Sequence, residues 1–227
     1  MIPYRDHNPI KGTPIFTIIL IVINVLVFLY ELLSMANGQI EAFITTWAII
    51  PADLTSNPST QELLTVITAM FMHGGWAHLI GNMLYLWIFG DNMESTLGAP
   101  LFLGFYLVCG IAATIAQIMV GPGSTAPNLG ASGAIAGVLG GYMVRWPQSK
   151  VEVIIPSRAG ASRALMPAIV VLGMWIVLQL FQGFGSLGVD TAGGGVAYFA
   201  HIGGFIAGLA IMGMYRLMNG QPQPRIA

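Results

Sequence analysis

The chain has 227 residues, 56% of them hydrophobic and only 7% charged, with a formal net charge of −1. A soluble domain carries roughly 25% charged residues and a disordered chain is polar, so both classes are excluded. The near-neutral charge offers no basic face for nucleic acid, which is not expected as a partner; the expected surroundings are a lipid bilayer.

A membrane-crossing helix needs roughly 20 apolar residues, and the apolar runs predict an all-α polytopic bundle of six spans. Residues 1–14 are expected as a cytoplasmic tail. The first span is expected at 15–33; "SMA" at 34–36 has the look of a signal-peptidase site, but the apolar run before it exceeds the usual 7–15 residues. The outer loop after it carries Trp47, Ile49, Ile50 and Leu54, with Pro51 and Pro58 as breakers. It reads equally as an interfacial segment or as a plain connector. The second span is expected at 76–90, with 63–72 leading into it, and the third at 100–120. Cys109 lies in that third run and reads as a small packed hydrophobe rather than a reactive thiol. The fourth span, 131–144, is short. The fifth and sixth are expected at 165–184 and 196–218, making 15–218 one domain, with 219–227 a disordered cytoplasmic tail.

Basic residues set the orientation. Arg5 and Lys11 precede the first span, Arg145, Lys150, Arg158 and Arg163 lie between the fourth and fifth, and Arg216 and Arg225 end the chain. The segments 36–75, 121–130 and 185–195 contain no Lys or Arg. Six spans with both termini inside put every basic residue on the cytoplasmic side.

Polar groups inside a bilayer are costly and mark function. Four stand out: His78 and Asn82 in the second span, Ser132 in the fourth and His201 in the sixth. Counted from the nearest cytoplasmic charge, Ser132 and His78 sit about 20 Å and His201 about 22 Å above the inner surface, with Asn82 one turn lower on the face of His78. Ser132, Ala136 and Gly140 share a face of the fourth span, flanked by Gly133 and Gly137, while His201, Gly204 and Gly208 share a face of the sixth. Small residues at this spacing let helix backbones approach closely.

A span as short as the fourth must begin inside the membrane. The segment "GPGSTAPNLG" is therefore expected to descend from the outer surface to Ser132, with water following it. The first-turn N–H groups of Ser132 and Gly133 are free to face a developing negative charge. A serine hydroxyl is weak without a base, and His201 can supply one. No Asp or Glu is expected at this depth, and Asp190 falls in an outer loop, so the reading is a dyad and not a triad.

Three stretches, "HGGWAHLIGN" at 73–82, "GASG" at 130–133 and "AHIGGFIAG" at 200–208, resemble the rhomboid family of intramembrane serine proteases, over about 15–218. The resemblance implies that Ser132 attacks a peptide carbonyl and His201 acts as general base and then acid. It implies an oxyanion hole of His78, Asn82 and the Ser132 backbone N–H. His73, Gly130, Gly133, Gly204 and Gly208 fall in the same motifs as structural residues, and Glu94 in "DNMESTLG" matches a structural glutamate. Substrates would be other membrane proteins, cut in or near a transmembrane segment, with no cofactor. Two departures stand out. Leu64-Thr65 replaces a Trp-Arg pair of the first outer loop, and Ala136 replaces a tyrosine that packs on the catalytic histidine in some members, so something else must orient His201.

Other chemistries fit less well. The hydrolase elbow G-x-S-x-G fails at Ala134. A zinc site from His73, His78 and His201 lacks the H-E-x-x-H motif, and His73 and His78 are about 140° apart on a helix. His7 reads as a solvated tail residue. A transporter using His78 and His201 as a proton relay would be expected to show an inverted repeat, and none is seen. A non-catalytic binding relative usually lacks the serine or the histidine, and both are present. The chain without an added domain leads to the expectation of a prokaryotic plasma membrane.

Overall fold

The computed structural model describes residues 1–10, 12–56, 58–157, 160–187 and 195–219. The helix α1 (Ile15–Ala36) opens the bundle. Its buried positions are Thr17, Leu20, Asn24, Phe28, Glu31 and Ser34, spaced three or four apart, while Leu26, Leu29 and Leu33 are about half exposed or more. The polar groups Thr17, Asn24, Glu31 and Ser34 face inward beside Leu20 and Phe28 while those three leucines face outward, the pattern expected where lipid is the solvent. Glu94 explains where α1 starts. Its carboxylate accepts the Phe16 N–H (2.9 Å), the Thr17 N–H (2.7 Å) and the Thr17 hydroxyl (2.8 Å), satisfying first-turn donors that have no intrahelical partner.

Three short helices follow, α2 (Ile40–Trp47), α3 (Pro51–Ser56) and α4 (Thr60–Thr68), the last opened by a Ser59–Glu62 capping box. A 3₁₀ turn at Ala69–Phe71 leads through His73 and two glycines into α5 (Trp76–Leu97). The lead-in expected at 63–72 is thus not collinear with the second span: α4 with its 3₁₀ turn bends 78° from α5. The chain continues as α6 (Ala99–Val120), α7 (Ser132–Arg145), α8 (Ala168–Gly185) and α9 (Tyr198–Asn219). Among the described residues α1, α6, α8 and α9 are each long and apolar enough to cross a membrane, and the bent α4–α5 pair makes a fifth if it is counted as one span. At 14 residues α7 is about 21 Å long, short of a roughly 30 Å hydrocarbon layer.

The all-α expectation needs correction. Strands β1 (Ile2–Asp6), β2 (Lys150–Ser157) and β3 (Gly160–Pro167) form one antiparallel sheet in the order β1-β2-β3. Ile2 pairs with Ile154 and Asp6 with Val151, while Lys150 pairs with Pro167. Val151 and Val153 alternate into the core. Residues 2–6 are therefore docked rather than a free tail. Leu165, expected inside the fifth span, lies in β3, and that helix begins at Ala168. His7 is exposed, as expected, and also bonds the Glu152 carboxylate through Nε2 at 2.7 Å; the Tyr4 hydroxyl donates to the same group, and the two bonds hold it below the usual carboxylate range. The tail at 220–227, Asp190, Lys11, Arg158 and Arg225 lie outside the described residues.

Helix α7 is the axis of the molecule, buried continuously from Gly133 to Tyr142. Its foot is tied to the N-terminal segment: the Tyr142 hydroxyl donates to Asp6 (2.7 Å), and Asn8 Nδ2 donates to the Tyr142 oxygen (2.6 Å). Burial pushes the Asp6 carboxyl above its ordinary range. On one side α7 packs backbone to backbone on α9. A Cβ at Gly204 would stand 2.0 Å from the Gly133 carbonyl oxygen, and one at Gly208 1.9 Å from that of Gly137.

Candidate active site

The segment before α7 is irregular, and four backbone bonds tie it to the first loop and the 3₁₀ turn. Ile49 and Asn128 exchange two bonds (3.0 and 2.7 Å), Ala52 N–H donates to Ser124 O (3.0 Å), and Gly130 N–H donates to Ala69 O (2.8 Å). The first loop is therefore not a plain connector. It holds the strand of chain that delivers Ser132, as irregular backbone within a membrane protein requires. Leu64, at the departure from the Trp-Arg pair, is half exposed, and the buried Thr65 turns its hydroxyl to Glu62 O (2.6 Å).

Ser132 is the first residue of α7, and His201 lies in the first turns of α9. The Gly133–Gly204 contact holds these two helix starts together. Ser132 Oγ is 2.7 Å from His201 Nε2. His201 is 9% exposed, so little bulk water competes for that bond. On its far side Nδ1 is 2.7 Å from Oε1 of the buried Gln179 in α8. The Trp175 ring, one turn earlier on α8, lies 5.7 Å from the imidazole centroid at an interplanar angle of 38°. Both restraints on the His201 ring therefore come from α8. At the start of α9, Ala200 N–H donates to Gln117 Oε1 of α6 at 3.1 Å.

His78 and Asn82 occupy one face of α5. Gly74 N–H points at His78 Nδ1 over a long 3.4 Å, an arrangement that favours the ring proton on Nε2. A Cβ at Gly130 would stand 2.8 Å from His78 Cε1 and Nε2 and 3.6 Å from Ser132 Oγ, so His78 and Ser132 border one point. Gly130 also has φ +128°, a conformation that disfavours side chains. Asn82 is buried, and its Nδ2 has no hydrogen-bond partner. A pocket of about 470 Å³, part of it open to solvent, runs over Ser132 and Gly133 and is lined also by Asn128, Gln117 and Thr114.

His73 stands behind this group. It is buried, its ring meets that of His78 edge-on at 5.0 Å, and neither ring nitrogen has a partner. Its backbone N–H donates to both Glu31 oxygens (3.1 and 3.2 Å). Glu31 overturns the expectation that no carboxylate lies at this level, although it meets the His73 backbone and not His201. Glu94 sits apart, under α1. Among the described residues no group of three or more His, Cys, Asp or Glu side chains is placed to hold a metal. Sequence reasoning missed Gln179, Trp175 and Glu31. The signal for the glutamine and the glutamate was the same one that picked out His201, a polar group in an apolar run.

A part-buried serine–histidine contact thus lies at the start of a short central helix, inside a bundle of apolar helices of the kind that membrane proteins have. The Rhomboid domain family model matches residues 60–217, and the chain belongs to the rhomboid family. It is 32% identical over 198 residues to Rhomboid protease GluP of Bacillus subtilis, covering 87% of this chain and 34% of that protein. It is 28% identical over 169 residues to the mitochondrial Rhomboid protein 1 of Saccharomyces cerevisiae, covering 72% and 45%. It is 28% identical over 166 residues to the mitochondrial Presenilin-associated rhomboid-like protein A of Danio rerio, covering 70% and 39%. The chain thus spans between a third and a half of the length of these relatives. Their names come from bacteria and mitochondria alike, which gives the prokaryotic plasma membrane expectation no support.

Proposed function

We propose that this chain is an intramembrane serine endopeptidase that cuts other membrane proteins in or near their transmembrane segments. The observation that carries the reading is the 2.7 Å contact between Ser132 Oγ and His201 Nε2 at a buried helix start. His201 Nε2 takes the hydroxyl proton as Oγ attacks the substrate carbonyl, and the same nitrogen returns the proton to the leaving amine. The oxyanion then faces the Ser132 N–H, His78 Nε2–H and the idle Asn82 amide, donors arranged before the charge develops. Water for deacylation enters through the pocket over Ser132. No cofactor takes part.

In this reading α1, α5, α6, α7, α8 and α9 make the six crossings, and the site opens on the face opposite the basic residues. A substrate helix must unwind locally to present its bond, because an intact helix engages its carbonyls in i→i−4 bonds. Helix-breaking residues near the cut therefore favour cleavage.

Labelling with a serine-directed fluorophosphonate in detergent tests the reading. Wild type labels, while Ser132→Ala and His201→Ala do not, and cleavage of a single-pass model substrate follows the same pattern. Equal labelling of wild type and His201→Ala removes the general base and with it the mechanism.

A further inference from the structure

Gln179 is an amide in an otherwise apolar face of α8, 8% exposed, with Oε1 2.7 Å from His201 Nδ1. Burying an amide costs free energy unless it is bonded, so its place beside the imidazole calls for a reason. We propose that Gln179 is the positioning residue for His201, fixing the neutral imidazole in the tautomer that can accept the serine proton. The inference rests on the protease reading given above and adds a third member to the serine–histidine pair.

A neutral imidazole carries one proton, on either nitrogen. With Nδ1–H donating to Gln179 Oε1, the Nε2 lone pair is left for the Ser132 hydroxyl 2.7 Å away. When Ser132 attacks, its proton moves to Nε2 and the ring becomes imidazolium. Nδ1–H keeps its acceptor throughout, so the ring does not turn during the step. The reverse arrangement, a Gln179 amide N–H donating to Nδ1, puts the proton on Nε2 and leaves His201 unable to act as a base. A carboxylate in this place would stabilise the imidazolium more strongly, but it would have to be buried as an ion. An uncharged amide supplies orientation without that cost. Trp175, one turn away on the same face of α8, covers the imidazole at 5.7 Å. One helix therefore supplies both restraints, the hydrogen bond and the ring contact.

The test uses the full chain in detergent, with Gln179→Leu to remove the acceptor and Gln179→Glu to keep one. Gln179→Leu is expected to lower kcat on a single-pass model substrate by about tenfold to a hundredfold, with KM within about twofold and the fluorophosphonate labelling rate falling in step. Gln179→Glu recovers most of that loss. Nitrogen-15 spectra of histidine-labelled protein, with the His201 signals assigned by their loss in His201→Gln, show Nδ1–H in wild type and a mixture in Gln179→Leu. Wild-type kcat in Gln179→Leu, or an Nε2–H tautomer in wild type, overturns the proposal. Should Gln179→Leu fail to fold, the wild-type tautomer and the Gln179→Glu rate decide. Absence of Ser132-dependent labelling in wild type would instead sink the protease reading, and the tautomer would still report on Gln179.

Discussion

Asn82 carries a buried amide nitrogen with nothing to donate to. A buried unsatisfied donor costs about 1–3 kcal/mol, and at a site such a cost makes sense only if the donor is used at another stage of the reaction. Asn82→Ala is therefore expected to cut kcat by about 10²–10³ while KM changes little, the usual result of losing one oxyanion donor. Because the Nδ2 gives up no bond, the unfolding midpoint should hold or rise. Wild-type turnover in Asn82→Ala would show that this amide plays no part in the transition state. Ser132, His201 and His78 were legible in the sequence because each is a polar group in an apolar run at a common helical height, and Asn82 because it follows one turn from His78 on the same face. Gln179 and Glu31 are likewise polar groups in apolar runs. Neither is singled out by the sequence, because no motif surrounds it and because height along one helix does not say which neighbour it meets.

Between elements, the decisive contact is the glycine seam of α7 and α9. Gly204 and Gly208 bring α9 so near that the Gly133 and Gly137 carbonyls lie where side chains would begin, at 2.0 and 1.9 Å from the added Cβ positions. The obstruction is backbone, which cannot step aside as a flexible side chain does. Gly208→Ala should therefore separate the helices and destabilise the fold by roughly 1–3 kcal/mol or more. Gly213→Ala, whose Cβ meets nothing within 4 Å, should be neutral or slightly stabilising through helix propensity. Unfolding in a graded detergent mixture compares the two, and equal midpoints would refute the seam. The small-residue spacing made this pairing readable in advance. The bend between α4 and α5 was not, although "HGG" at 73–75 is a breaker signal, because an apolar run continues across it and hydropathy carries no direction. The strands were hidden for a related reason. Their period-two alternation in "KVEVII" lies in a stretch taken as a loop between spans, and pairing β1 to β2 needs a contact across almost 150 residues.

At the scale of the molecule, the sheet constrains topology independently of hydropathy. Since β1 pairs with β2, the N-terminal segment and the α7–α8 connection must lie on one side of the membrane. Arg216 Nη1 donates to Val144 O at 3.1 Å, which brings the end of α9 to the foot of α7 on that same side. Arg5, Lys150, Arg163 and Arg216 thus gather on one face, and the positive-inside bias predicts that this is the cytoplasmic or matrix face. The segment 122–130 and the opening over Ser132 lie at the other end of α7. Single thiols can separate the two faces in a Cys109→Ala background, since Cys109 is the one natural cysteine and is buried. Ser162→Cys sits on the exposed part of β3 and Thr125→Cys on the exposed approach to Ser132. With a membrane-impermeant maleimide, sealed right-side-out vesicles should label Thr125→Cys and spare Ser162→Cys, and inverted vesicles should do the reverse. Labelling of both thiols from one side of sealed vesicles would break the link between the sheet, the basic face and the buried start of α7. The site would then open toward the same compartment as the termini, and water and substrate would have to reach Ser132 from there.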